Sequence, residues 1–220
     1  MMTGPQLIFI AGPNGAGKST FSKDLSPPDT FIFDPDKEKA IIAFRFAKLP
    51  QESIEYAFQQ HFQDCKEFAI RNKRDFVIET NFRDHALLDT AEQFKANGYV
   101  TNMIYLVLDG IHESMDRVLH RLNNGGHHVD DESVLFNYTE GLKNLEYFSG
   151  RFDNLEIIDA SGSYFNLRSV LSIQHQRLVY RSTDLPKAAE QTINRIADRY
   201  DNSWQRGNNE DLDLPRGPRR

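Results

Sequence analysis

The hydrophobic positions along this chain change period in a regular order. Short apolar runs at Leu7–Ala11, Thr30–Phe33, Met103–Leu108 and Leu155–Asp159 suit strands buried on both faces. Asp75–Thr80 is another, apolar within and acidic at its carboxyl end. Between these runs the period lengthens to that of a helix. Helices are predicted to begin at Phe21, to cover Glu38–Ala47 with Pro50 as the break, and to cover Glu52–Asn72, Leu87–Lys95, Ile111–Leu122 and Asp131–Phe148. The helix over Glu52–Asn72 carries Ile54, Ala57, Phe58, Phe62, Cys65, Phe68 and Ala69 on one face, and Asn97-Gly98 reads as the C-cap of Leu87–Lys95. Strand alternating with helix predicts an α/β fold, a parallel sheet flanked by helices. After Asp159 the pattern changes: Leu167–Ile173 and Arg177–Tyr180 predict a β-hairpin around His175-Gln176, and Lys187–Tyr200 an amphipathic helix. The expected division is a main domain over 1–181, a C-terminal helix over 182–200, and a loose tail over 201–220 whose Asn, Gly, Asp, Pro and Arg cannot build a core.

Between the first strand and the first helix stands Gly12-Pro13-Asn14-Gly15-Ala16-Gly17-Lys18-Ser19-Thr20. Gly12, Gly17, Lys18 and Ser19 match G-x-x-x-x-G-K-[ST] in its strand–loop–helix setting. Glycines let successive backbone N–H groups converge on one concave anion site, and a following helix would aim its positive end there. The run from Gly12 through Asn14, Gly15, Ala16, Gly17 and Lys18 to Ser19 and Thr20 is therefore a nucleotide phosphate site. Lys18 is placed for the β- and γ-phosphates of ATP, and the Ser19 hydroxyl for Mg²⁺.

Composition narrows the partners. A net charge of −6 argues against nucleic acid and against adsorption to an anionic membrane. No apolar run reaches the roughly 18–20 residues that span a bilayer. With no secretory pattern at the N-terminus and a single Cys65, a cytoplasmic home is expected.

In an open α/β sheet, ligands lie beyond the carboxyl ends of the strands. Asp34 and Asp36 follow the second strand, and Glu79, Asn81 and Arg83 follow the third. Transfer of phosphate to an alcohol needs a carboxylate beside the attacking hydroxyl. Asp36 is the choice for it; Asp34, before Pro35, also reads as a helix cap. Glu79 suits either a metal-side acid or a hydrogen bond to a substrate hydroxyl, and Arg83 suits a charged or phosphorylated substrate. Arg117 and Arg121 share one helix face at i, i+4, beside Gly125-Gly126. That arrangement suits a lid bringing guanidinium charge to the γ-phosphate. His127, next to it, is a candidate contact to substrate.

Taken in order, the phosphate loop, Asp34-Pro35-Asp36, Ile78-Glu79-Thr80, Asn97-Gly98-Tyr99, Asp116-Arg117-Val118 and Gly125-Gly126-His127-His128-Val129 resemble the zeta-toxin family of P-loop kinases, from about residue 6 to 181. The resemblance implies ATP and Mg²⁺, and transfer of phosphate to a sugar hydroxyl of a nucleotide sugar such as UDP-N-acetylglucosamine. It implies Asp36 as base, Glu79 as substrate acid, Arg83 as substrate arginine and Arg117 as first lid arginine. An antitoxin is a partner it allows. Two positions depart from the family pattern. His127 stands where a second lid arginine is expected, which leaves that charge to Arg121, and Phe136-Asn137-Tyr138 replaces basic residues. The expected function is an ATP-dependent small-molecule kinase. The alternatives are a non-catalytic nucleotide-binding or regulatory module and an ATPase subunit; the last lacks its signature motif and paired acids here.

Overall fold

A computed structural model describes residues 4–125, 129–162 and 166–210, with side chains described up to residue 201. In chain order the elements are β1 (Gln6–Ala11), α1 (Lys18–Phe21), β2 (Phe31–Phe33), α2 (Pro35–Arg45), α3 (Gln51–Asn72), β3 (Phe76–Thr80) and α4 (Ala86–Ala96). There follow β4 (Val100–Val107), α5 (Ile111–Asn123), α6 (Asp131–Phe148), β5 (Asn154–Asp159), β6 (Arg168–Gln174), β7 (Arg177–Arg181) and α7 (Glu190–Glu210). The strands form one sheet in the order β2-β3-β1-β4-β5-β6-β7. β1 to β5 are parallel; β6 and β7 add antiparallel strands at the edge. The predicted α/β architecture and the C-terminal hairpin are both present.

β1 is the axis of the sheet. Leu7 pairs with Phe76 on one side and with Thr101 on the other. Its side chains alternate between two apolar clusters, as a pleated strand requires. Leu7, Phe9 and Ala11 join the larger cluster with Phe94, Leu145, Ile193 and Ile196. Ile8 and Ile10 pack with Val77 on the other side. Full burial of such a side chain contributes about 1.5–3 kcal/mol, so this continuous two-sided burial fixes β1 and the loop it ends in.

Several boundaries differ from the sequence reading, each for a local reason. α1 is a single turn, and residues 22–26 are turns and a bend. Ser26-Pro27-Pro28 follows at once, and prolines forbid helix continuation. α2 begins earlier than predicted, with Asp34 as N-cap and Pro35 in the first helical position. Phe68 is exposed although it keeps the helical spacing of the buried face, while Phe58, Phe62 and Cys65 pack against the core. Gly98, with φ +83, ends α4 as expected, its N–H and that of Tyr99 bonding back to Lys95 and Phe94. The final helix runs to Glu210 rather than stopping at Tyr200. Its core contacts include Ile193, Ile196, Ala197 and Tyr200. Residues 211–220 lie outside the described residues.

Candidate active site

The phosphate loop leaves β1 at the carboxyl end of the sheet, between β3 and β4. Two glycines show why the loop needs them. A Cβ on Gly12, where φ is +144, would stand 2.5 Å from the Leu106 carbonyl oxygen. One on Gly15, where φ is +78, would stand 2.9 Å from Cβ of Arg117. Neither neighbour can give way without moving a strand or a helix. Because α1 is only one turn, the anion site rests on the loop's own N–H groups, with little macrodipole behind them.

Lys18 is the centre of the site. Its ammonium donates to the Gly12 carbonyl at 2.8 Å, the Pro13 carbonyl at 3.0 Å and Asn81 Oδ1 at 2.7 Å. Burial strips water from it and lowers its pKa to about 8, against the opposing pull of Glu79 and then of Asp36. Arg121 lowers it further and Asp34 acts in the raising direction. One cation thus feels carboxylates from β3 and from the start of α2, and a guanidinium from α5. The sequence reading has Lys18 reaching for phosphate; here it is held on protein oxygens, and Asn81, expected at the substrate, holds it.

Ser19 donates from Oγ to Glu79 Oε2 at 2.6 Å, and Glu79 is 5% exposed at the end of β3. A hydroxyl beside a carboxylate is a set of hard oxygens suited to Mg²⁺, which takes one or two protein ligands together with phosphate oxygens and waters. Among the described residues, no group of three or more His, Cys, Asp or Glu side chains could hold a metal by itself. Of the two uses left open for Glu79, the metal side is the one this bond favours.

On the other flank the Asp34 side chain accepts from the N–H groups of Asp36 and Lys37, at 3.1 and 3.2 Å, and caps α2. Asp36 is exposed on the first turn of that helix. Arg83 is also exposed, and its Nη1 lies 3.4 Å from Asn137 Oδ1.

Arg117 and Arg121 share a helix face but not a role. The Arg117 guanidinium is buried, donating to the Gly15 carbonyl at 3.2 Å, the Ala160 carbonyl at 2.7 Å and the Gly162 carbonyl at 3.0 Å. It also forms an ion pair with Glu113 at 2.7 Å. It therefore braces the phosphate loop against the segment after β5, and this placement differs from that of a lid arginine facing the γ-phosphate. Arg121, one turn on, is exposed and close enough to act on Lys18 electrostatically. Thr20 is exposed beside Ser19. His127, with Gly126 and His128, lies outside the described residues.

Sequence reasoning missed the braces. Ser114 Oγ donates to the Asn14 carbonyl at 2.6 Å from a fully buried position. Asn137 Nδ2 donates to Asn14 Oδ1 at 2.8 Å. The spacing of Glu113 and Arg117 at i, i+4 is a readable signal; nothing in the sequence marks Ser114, and Asn137 stands out only as part of a departure from the family pattern.

The model of the Zeta toxin family matches residues 2–169. The chain belongs to the zeta-toxin family. Solved structures agree on the fold. A chain of the PezAT chromosomal toxin–antitoxin system of Streptococcus pneumoniae superposes with a TM-score of 0.60 at 13% identity, over 91% of this chain and 87% of that one. A chain of the AvrRxo1-ORF1:AvrRxo1-ORF2 complex solved with ATP gives 0.60 at 13% identity, over 90% of this chain and 76% of that one. In sequence, an uncharacterised protein of Haemophilus influenzae is 22% identical over 131 residues, which cover 60% of this chain and 91% of that protein. Family membership together with the phosphate loop supports an ATP-binding, kinase-like protein. No helix among the described residues is long and apolar enough to cross a membrane.

Proposed function

We propose that this zeta-toxin family member transfers the γ-phosphate of ATP to a hydroxyl of a small molecule, with a nucleotide sugar such as UDP-N-acetylglucosamine as the first acceptor to try. The observation that carries the reading is geometric: Lys18 and Ser19 bond to Asn81 and Glu79 at and just beyond the end of β3, and Asp36 stands exposed on the first turn of the helix that follows β2, the neighbouring strand. A site for binding nucleotide alone needs no second carboxylate at the edge of the cleft; a phosphotransferase needs one to take the acceptor's proton.

The roles follow from placement. The loop amides and Lys18 hold the phosphates. Ser19 and Glu79 would hold Mg²⁺, which neutralises phosphate charge when bound. The acceptor oxygen forms a bond to the γ-phosphorus, the bond to the β-phosphate oxygen breaks, ADP leaves, and the hydroxyl proton passes to Asp36. Arg121 supplies positive charge to the transferring group. Arg83 lies with the acceptor. An antitoxin protein is the proposed partner, on the strength of the family and of the toxin–antitoxin origin of one structural relative.

The test is incubation with ATP and Mg²⁺ and a panel of nucleotide sugars, nucleotides and free sugars, with products read by mass. A phosphorylated acceptor that disappears with Lys18→Ala supports the reading. Normal ATP binding with no product from any acceptor would leave a nucleotide-binding module instead.

A further inference from the structure

Helix α6 turns one polar face onto both halves of the site. Asn137, Gly141 and Asn144 share that face by their i, i+4, i+7 spacing. Asn137 is 3% exposed and touches two loops, Asn14 of the phosphate loop and Arg83 after β3. Asn144 Nδ2 donates to the Phe82 carbonyl at 2.9 Å. Gly141 lets the helix come close, since a Cβ there would stand 2.7 Å from the Asn81 carbonyl oxygen and 2.6 Å from the Tyr105 hydroxyl. Phe82 itself is buried with φ +53, a left-handed backbone that an aromatic residue keeps only where its surroundings over-determine it. The loop that carries Asn81 and Arg83 is therefore shaped from outside, by α6.

The hydrogen-bond direction through Asn137 is settled by chemistry. An arginine can only donate, so the Asn137 atom facing Arg83 is Oδ1, and Nδ2 must be the atom that donates to Asn14 Oδ1. The Asn14 Nδ2 group is then left with no acceptor among the described residues. One amide joins the acceptor-side arginine to the loop that holds phosphate.

We propose that Asn137 is a positioning residue that locks the phosphate loop and the Arg83 loop to each other, so that the acceptor is placed relative to the nucleotide. Its consequence for turnover rests on the kinase reading above; its structural content does not. Asn137→Asp keeps the oxygen for Arg83 and loses the N–H for Asn14, whereas Asn137→Ala loses both.

The first measurement is amide exchange on the full chain without ligand, read over segments 12–20, 79–85 and 154–181. Asn137→Ala is expected to speed exchange in both of the first two by at least about fivefold and to leave 154–181 unchanged. Asn137→Asp should speed 12–20 more than 79–85. Equal speeding of all three segments, or no change in either of the first two, overturns the proposal. The second measurement uses the acceptor found by the screen. Asn137→Ala and Arg83→Ala should each raise the acceptor KM about tenfold with kcat within about threefold, and the double variant should be no worse than either alone, since the two act through one contact. Fully additive effects would overturn it. If the wild type phosphorylates nothing, the kinase reading falls, and the exchange measurement still decides for or against Asn137.

Discussion

Lys18 is gripped by three oxygens within 3.0 Å, whereas the Asp36 carboxylate makes no hydrogen bond among the described residues. The contrast extends to the regions around them. On the nucleotide side the loop is tied down by Ser114, Arg117 and Asn137, from two helices. On the side proposed for the acceptor, β2 is a three-residue edge strand, and α2 buries only Ile42 and exposes Phe44 almost fully. Lys39–Glu55 and His61–Glu38 contacts link α2 to α3 at the surface, where such pairs are worth about 0–1 kcal/mol each. Phosphate must be met by fixed dipoles, since any reorganisation during transfer would raise the barrier. The start of α2, which carries Asp36, can be rebuilt or moved at little cost in stability.

The largest effect that would sharpen this contrast is on rate. Arg121→Ala is expected to lower kcat roughly 10³-fold, the low end for an arginine that meets a transferring phosphate, while leaving the melting curve nearly unchanged. A variant with normal turnover and normal stability would remove Arg121 from the site. Next comes Arg117→Ala, which should destabilise the fold by about 3 kcal/mol, the low end for a broken buried ion pair, because Glu113 keeps 24% of its side chain in water. Urea unfolding measures it, and a loss below about 1 kcal/mol would mean that the brace is slack.

On the acceptor side, Asp36→Asn should slow transfer at least about 10²-fold with ATP affinity unchanged. Asp34→Asn should be close to wild type, because Asn caps a helix as well as Asp does. The reverse outcome, measured by transfer kinetics on both variants, would exchange the roles of the two carboxylates. The smallest effect concerns Lys18 itself. Its pKa is about 8 in the folded chain and near 10.5 when unfolded, so between those values the unfolded chain binds more proton and stability rises with pH. Lys18→Met should therefore stabilise the protein at pH 7 by about 1–2 kcal/mol, part of the desolvation being offset by hydrogen bonds lost. It should also flatten the rise in stability between pH 8 and 10. Urea melts at three pH values test both.

What the sequence reveals follows the range of the forces involved. The strands from Leu7 to Asp159, the cap at Asn97-Gly98 and the phosphate loop are set by local pattern and backbone chemistry, and all are legible. The hairpin is legible too, although its turn residues His175 and Gln176 both take positive φ without a glycine. The brevity of α1 was written in Ser26-Pro27-Pro28 and is easily underweighted beside the helical spacing before it. Other features depend on partners distant in sequence. Helical spacing puts Arg117 and Arg121 on one face, but only the approach of Gly15 and of Ala160–Gly162 buries the first and leaves the second exposed. Ser114 carries no signal at all and Asn137 shows only as part of a departure from the family pattern, because their bonds go to a loop a hundred or more positions away.

The place of β1 in the sheet has a consequence for synthesis. A nascent chain emerges at about 5–20 residues per second, and β1 leaves the ribosome before either of the strands it pairs with. Leu7 must wait for Phe76 and then for Thr101, and the bonds from Arg117 to Gly15 and from Asn137 to Asn14 close later still. The phosphate loop, made before the helices that brace it, is thus among the last parts to take its working shape. A truncated or stalled product would carry the whole motif and have no competent site.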